Sequence, residues 1–263
     1  MSTAPICPAC DAVAITEVGH AGICHLWRCA CGLVFADRST WRDPYSRCDY
    51  YDPANQPAET YPLRITATER DRIASVQRFM PTGRLLDFGG GIGKTALAAH
   101  AAGFSALVLE DSHKAVCDGR AHHPEIEWLE GKTIPDSIAE ASLDGVTLFH
   151  VLEHLTDPRA ALKQIHLKLR PAGLLVIEVP NWGSHMRRLH GLRWQFVLDH
   201  HVNHFSAASL TALVEKCGFV RCCVEFRRTF AINEAQSWKE PLKKGLCLLG
   251  FGDILRCSFV KTA

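Results

Sequence analysis

The sequence predicts an α/β fold with a mostly parallel sheet, and two features of the chain from Leu63 onward support that prediction. Short apolar runs alternate with segments of helical periodicity, which is the pattern of a doubly wound sheet. A glycine cluster follows the first apolar run, at the edge where such sheets bind ligands. Apolar residues make up 47% of the 263 residues, which is enough for a sizeable core.

Each predicted element has a local signal in the sequence. Proline or glycine follows most of the predicted helices, and the predicted strands are short runs of apolar residues. The predicted helices cover residues 63–79, 94–102, 112–122, 157–169 and 206–217. The predicted strands cover residues 84–88, 105–109, 126–129, 144–149, 174–179, 219–226 and 254–260. Together they predict a seven-stranded sheet within one domain over residues 63–263.

Two further segments precede this domain. Residues 1–36 contain five of the twelve cysteines and are predicted to form a small head. Residues 37–62 are rich in proline, tyrosine and aspartate and show no regular period, which indicates a linker or a lid.

The glycine cluster after the first strand is compatible with several nucleotide-binding patterns. Residues 93–95 end like a phosphate-binding P-loop, but the first glycine of that motif would fall at Phe88, so the loop is one residue short. Gly91, Gly93 and Ala96 fit a variant of the dinucleotide fingerprint, which leaves an NAD-dependent oxidoreductase open as an alternative.

Acids at the ends of two strands also point to a nucleoside cofactor. Asp87 lies in the strand that leads into the glycines, and Glu110 ends the next strand. An acid at the second position can accept hydrogen bonds from both ribose hydroxyls, while glycines let the backbone approach a ligand closely. These features suit NAD and other nucleosides alike.

The stretch LDGVTLFHVLEHLTDP, residues 143–158, resembles the fourth-strand signature of small-molecule class I S-adenosylmethionine-dependent methyltransferases. The Asp-x-Gly-x-Gly-x-Gly pattern over residues 87–93 resembles motif I of the same family, and residues 169–177 and 201–219 resemble its later segments. The resemblance covers the chain from about residue 63 to its end. It implies a Rossmann-like fold and methyl transfer to a small-molecule acceptor, such as a sugar, a glycan precursor or a secondary metabolite.

The resemblance also implies a set of site residues. Those expected to hold S-adenosylmethionine are Asp87, Gly89, Gly91, Gly93, Glu110, Glu130 and His150. An alcohol acceptor needs a base as well, and histidine is the usual choice near neutral pH. The candidates are His154, His201 and His150, in that order, and residues 181–204 are expected to line the acceptor pocket.

The cysteine-rich head resembles a zinc ribbon. Its expected ligands to a structural Zn²⁺ are Cys7, Cys10, Cys29 and Cys31. The second pair is Cys-x-Cys where Cys-x-x-Cys is usual, so Cys24, His20 or His25 remains open as a replacement for Cys29.

Charge and hydropathy exclude some classes of partner. With 29 basic and 28 acidic residues, the chain has no broad attraction for nucleic acid. No apolar run reaches about 20 residues and the start does not resemble a signal peptide, so we expect a cytoplasmic protein without a membrane partner. Two alternatives stay open: an RNA methyltransferase, because zinc heads also occur on such enzymes, and a non-catalytic cofactor-binding or interaction protein.

Overall fold

The computed structural model describes residues 4–22, 24–37, 63–228 and 252–262. The predicted linker or lid over residues 37–62 therefore lies outside the described residues, apart from its first residue. The strands are β1 (Thr16–Ala21), β2 (Cys24–Arg28), β3 (Val34–Ala36), β4 (Arg84–Phe88), β5 (Ser105–Glu110), β6 (Glu127–Glu130), β7 (Leu143–Phe149), β8 (Leu169–Pro180), β9 (Asn203–His204), β10 (Phe219–Arg227) and β11 (Ile254–Lys261). The helices are α1 (Ala67–Gln77), α2 (Lys94–Ala101), α3 (His113–His122), α4 (Pro158–Lys168), α5 (His185–His190) and α6 (Ala207–Lys216).

Within the described residues the larger sheet has seven strands, in the order β10-β11-β8-β7-β4-β5-β6. Five of these strands run parallel to one another, namely β8, β7, β4, β5 and β6. Strand β11 lies antiparallel between β8 and β10. The predicted seven-stranded, mostly parallel sheet is confirmed, and the carboxyl ends of β4, β5 and β7 meet at one edge.

Both faces of this sheet are buried, as expected when helices cover a parallel sheet on both sides. Consecutive residues of one strand belong to different apolar clusters: Leu85 of β4 packs in one cluster and Leu86 packs in the other. The cluster of Leu85 includes residues of α1, α2 and α3, and the cluster of Leu86 includes residues of α4 and α6. None of the described helices is long and apolar enough to cross a membrane.

Helix α1 begins four residues later than the periodicity predicts, because Thr66 caps it. The Thr66 hydroxyl accepts a hydrogen bond from the Thr68 amide, and the Glu69 carboxylate accepts one from the Thr66 amide. This reciprocal arrangement satisfies amides that the first turn of a helix leaves unpaired.

Strand β8 begins five residues earlier than predicted. Leu169 already pairs with Leu143 of β7, and Leu174 then pairs with Gly145, so the intervening residues 170–173 bulge out of the ladder. The apolar pattern marked only the part of the strand that follows this bulge.

The head is joined to the larger domain by backbone pairing. A smaller sheet has the order β1-β2-β3-β9, and β9 belongs to the second half of the chain, where Val34 pairs with His204. Phe35 of the head packs in the same apolar cluster as Phe205. The head is therefore built partly from the segment that was expected to line the acceptor pocket.

A buried network of charges ties α1 to the sheet next to the site. Arg256 of β11 is 1% exposed and donates to both Glu178 of β8 and Asp71 of α1. Arg72 also donates to Glu178, with the two atoms 2.8 Å apart. Burial alone would raise the pKa of Glu178, but a hydrogen bond from His150 and the two arginine charges hold it well below its usual range.

Arg256→Met is expected to lower the free energy of unfolding by about 3–5 kcal/mol, because it removes one partner of a buried ion pair. Arg170→Met is the matched control, since Arg170 is half exposed where it pairs with Asp144 and such surface pairs contribute about 1 kcal/mol or less. Urea denaturation of both variants measures the difference. Similar losses in the two would contradict this account of the network.

Candidate functional site

The loop between β4 and α2 has a backbone that demands glycine. Gly89, Gly91 and Gly93 have φ angles of +66°, +57° and +85°, which side-chain-bearing residues rarely adopt. A Cβ atom at Gly89 would lie 2.7 Å from Val151, and one at Gly93 would lie 2.5 Å from the Trp128 ring. Gly89 therefore lies against the loop after β7, and Gly93 lies against strand β6.

Asp87 is buried beneath this loop and braces two strands. Its carboxylate accepts a hydrogen bond of 2.6 Å from the Thr147 hydroxyl on the neighbouring strand β7. Burial raises the pKa of Asp87 to about 6, although the bond from Thr147 opposes that shift. The structure thus places Asp87 at the base of the predicted cofactor site.

Glu110 holds the glycine loop directly. One of its carboxylate oxygens accepts a hydrogen bond of 2.8 Å from the Gly91 amide, and the other accepts bonds of 3.0 Å from the amides of Asp111 and Ser112. Burial raises the pKa of Glu110 to about 7. A carboxylate offers about four acceptor positions, and these three bonds leave one on the oxygen that accepts from Gly91, so the side chain can brace the loop and still accept a bond from a ribose.

Strand β6 carries Glu130, one of the residues expected to hold the cofactor. Glu130 lies beside Glu110 in the strand register, but it is exposed and pairs with His113 at 3.0 Å. Its predicted place near the adenine stays a prediction. Trp128 of the same strand contacts the glycine loop, a contact that the sequence did not predict because an aromatic residue in a strand gives no sign of its neighbours.

His150 follows β7 and has a left-handed backbone, with φ of +60°. Its ring lies between two buried carboxylates, with Nδ1 3.2 Å from Glu153 and Nε2 3.4 Å from Glu178. Burial alone would lower the pKa of His150, but the two carboxylates raise it to about 9. A ring that is charged at neutral pH is poorly suited to accept a proton, which favours a positioning role over that of a base.

The other two predicted bases lie together. One ring nitrogen each of His154, His200 and His201 lies within 4.8 Å of the others. The His154 Nδ1 atom lies 3.1 Å from the His200 carbonyl, and the His201 Nδ1 atom lies 2.8 Å from the Phe196 carbonyl. Burial lowers the pKa of His201 to about 4, so its ring is neutral at physiological pH.

Asn203 joins the loop after β7 to the segment that carries these histidines. Its amide donates to the Glu153 carbonyl at 3.0 Å, and its side chain donates to the Leu155 carbonyl at 2.7 Å. The loop and the segment therefore form one surface beside the cofactor loop, because Val151 of the same loop lies against Gly89.

A patch of polar and aromatic side chains, largely buried, lies in the segment over residues 181–204. The Arg187 guanidinium lies 3.8 Å from the centre of the Trp182 ring, and the ring centres of Trp182 and His204 are 4.8 Å apart. Buried nitrogen atoms of all three residues have no hydrogen-bond partner within the described part of the chain. Burial, together with the charges of Arg28 and Arg188, lowers the pKa of Arg187. These nitrogens are the groups of the patch that could contact a polar or negatively charged ligand.

The head brings four thiols together, as the sequence predicts. The sulfur atoms of Cys7, Cys10, Cys29 and Cys31 all lie within 4.8 Å of one another. Two of the separations are 3.7 Å and 3.4 Å. Tetrahedral zinc, with bonds of about 2.3 Å, needs sulfur atoms about 3.8 Å apart, so the group fits that ion. Cys24 instead contacts the Asp199 carbonyl through its sulfur, which removes it as the alternative ligand.

Comparisons with known proteins agree with this architecture. A family model described as a methyltransferase domain matches residues 63–223. A probable S-adenosylmethionine-dependent methyltransferase of Mycolicibacterium smegmatis is 29% identical over 111 residues, which are 42% of this chain and 42% of the relative. A ubiquinone biosynthesis O-methyltransferase of Ruegeria pomeroyi is 28% identical over 145 residues, 54% of this chain and 58% of the relative. The chain thus spans about half the length of these curated relatives.

A solved structure shares the fold at low identity. The Burkholderia thailandensis 1,6-didemethyltoxoflavin-N1-methyltransferase, solved with 1,6-didemethyltoxoflavin and S-adenosylhomocysteine, superposes with a TM-score of 0.54 at 17% identity, covering 75% of this chain and 79% of that one. Since the family model matches more than half of the chain and the sheet has the expected order, the chain belongs to the methyltransferase-domain family and has the class I fold of S-adenosylmethionine-dependent methyltransferases.

Proposed function

We propose that this protein transfers a methyl group from S-adenosylmethionine to a small-molecule acceptor. The observation that carries the proposal is the left-handed glycine turn after β4, held by Glu110 at the end of β5. S-adenosylmethionine has no pyrophosphate, so it needs close backbone contact and a ribose acceptor rather than a phosphate cradle. This turn and this carboxylate supply those two features.

The chemistry is an in-line displacement. The acceptor atom forms a bond to the methyl carbon, the carbon–sulfur bond breaks, and its electron pair stays on sulfur to give S-adenosylhomocysteine. The sulfonium already activates the methyl group, so the protein has to align the partners and remove the proton of an alcohol acceptor. Alignment alone can supply up to about 7–11 kcal/mol of the barrier.

We assign the acceptor to the surface formed by the loop after β7 and residues 181–204. The patch of Trp182, Arg187 and His204 favours a planar or polar acceptor that carries a negative charge or a hydrogen-bond acceptor. The names of two relatives refer to ubiquinone biosynthesis and to 1,6-didemethyltoxoflavin, which supports a small acceptor. The balanced charge of the chain also favours a small molecule over RNA.

The histidine cluster is the part of this surface best suited to act on the acceptor's proton. His154 and His201 have carbonyl partners at Nδ1, so the lone pair of each ring is at Nε2, where it can accept a proton directly or hold a cation that promotes loss of the proton. His150 is assigned to orient the loop, since its ring is held between two carboxylates.

We also propose that the four cysteines of the head bind one structural Zn²⁺. Four protein ligands leave no open position, so this ion would stabilise the head rather than take part in the reaction. The head pairs with β9 next to the histidine segment, so its stability bears on the acceptor surface.

Glu110→Ala is expected to weaken S-adenosylmethionine binding at least about tenfold, because a hydrogen bond to a charged group contributes about 1.5–3 kcal/mol and 1.4 kcal/mol is a factor of ten. Asp111→Ala is the control, since this neighbouring acid is half exposed and pairs with a lysine. Isothermal titration calorimetry measures both affinities, with thermal unfolding to verify the fold of each variant.

Equal affinities in the wild type and Glu110→Ala would contradict the ribose assignment. A methyl-transfer assay with labelled cofactor then tests the acceptor class, using anionic small molecules beside tRNA and rRNA fragments. Preferential labelling of RNA would overturn the small-molecule acceptor, and cofactor binding without transfer to any acceptor would favour the non-catalytic alternative.

Elemental analysis should find zinc in the head at one ion per chain, and Cys10→Ser should lose it because a thiolate ligand is removed. Cys24→Ser is the control, since Cys24 is buried nearby but lies outside the group of four. Retention of the head's zinc in Cys10→Ser, or its loss in Cys24→Ser, would show that the ligand set is different.

A further inference from the structure

We propose that His154, His200 and His201 bind a divalent transition-metal ion beside the acceptor surface, at a site separate from the cysteine group. Their ring nitrogens meet within 4.8 Å although His200 and His201 lie more than 40 residues from His154 in the chain. The loop after β7 supplies the first histidine, and the segment before β9 supplies the other two.

Hydrogen bonds fix two of these rings in the form that binds metal. A carbonyl oxygen can only accept, so His154 and His201 each donate from Nδ1, to His200 and Phe196 respectively. Nε2 then carries the lone pair in both rings. Metal-binding histidines commonly have this arrangement, in which the second nitrogen donates to a carbonyl or carboxylate that holds the ring in place.

A buried carboxylate beside the cluster supplies negative charge. Glu153 is 1% exposed, and one of its oxygens bonds His150 at 3.2 Å. The other oxygen is buried and has no hydrogen-bond partner among the described residues. The carboxylate lies close enough to His154 and His201 to interact electrostatically with both rings. His150 supplies positive charge to one oxygen of Glu153, and a metal ion on the neighbouring imidazoles would supply it on the side of the unpaired oxygen, whose burial is otherwise costly.

The ligand chemistry selects the class of ion. Imidazole nitrogen suits Zn²⁺, Fe²⁺, Co²⁺, Ni²⁺ and Cu²⁺, whereas Mg²⁺ and Ca²⁺ prefer oxygen ligands. Three protein ligands leave a position open, unlike the four thiols of the head.

The location suggests what the ion would do, and this part rests on the proposed methyl transfer. Val151 of the histidine-bearing loop contacts Gly89 of the cofactor loop, so the cluster lies on the acceptor side of that turn. A divalent ion at an open position lowers the pKa of a hydroxyl that binds to it. The histidines would then assist loss of the acceptor's proton by holding a cation, and the proton would leave to solvent.

Metal counting on the whole 263-residue chain tests the site without any activity assay. The wild type, His154→Ala and His201→Ala are dialysed against a small excess of zinc chloride, then against metal-free buffer, and analysed for zinc. Each variant is expected to hold one zinc ion per chain fewer than the wild type. His100→Ala is the matched control, because this exposed histidine lies at the end of α2, away from the cluster, and its zinc content should equal that of the wild type.

Cobalt substitution separates the two classes of site. Co²⁺ bound by the histidines should give visible absorption without sulfur-to-metal charge transfer, and this signal should be lost in His201→Ala and reduced in Glu153→Gln, which tests the carboxylate with little change of shape. Equal zinc contents in the wild type and both histidine variants would overturn the proposal. Binding of S-adenosylhomocysteine to the wild type is measured separately, so its absence would contradict the proposed function and leave the metal count intact.

Discussion

The bond from the Gly91 amide to the Glu110 carboxylate is the constraint on which the rest of the site depends. It joins the loop after the first strand of the large sheet to the end of the second, and it holds the chain in a left-handed turn. Glycine is needed there for backbone conformation and for space, since Trp128 and Val151 occupy the volume that side chains would take. The turn therefore contacts both β6 and the loop after β7.

The head completes the opposite side of the site. Its strand β3 pairs with β9, directly after the segment that carries His200 and His201, and Asn203 joins that segment to the loop after β7. Arg159 of α4 adds a bidentate ion pair to Asp11 of the head. A cysteine-rich extension in this way pairs with the segment that we propose as part of the acceptor surface, so a Zn²⁺ ion held by its cysteines would stabilise that surface.

Local signals in the sequence predicted most of the large sheet, because apolar runs, proline and helix caps act over a few residues. They could not reveal β9, a two-residue strand that exists only through its pairing with the head. The spacing of the cysteines also could not decide whether Cys24 or Cys29 joins the other three thiols. Nor could it show that His150 lies between two carboxylates. Glu153 was visible in the motif after β7, but its unpaired oxygen depends on groups distant in sequence. Family membership sets aside the NAD-dependent alternative that the glycine spacing had left open.

Hydrogen–deuterium exchange with and without S-adenosylhomocysteine tests the central claim most directly, because it reports on the turn itself. A ligand bound against the glycine loop should protect the amides of the loop from exchange. The account therefore predicts slower exchange in peptides covering residues 87–95 and 110–112, with no comparable protection by NAD. Protection of these peptides by NAD alone, or unchanged exchange there at saturating S-adenosylhomocysteine, would contradict it.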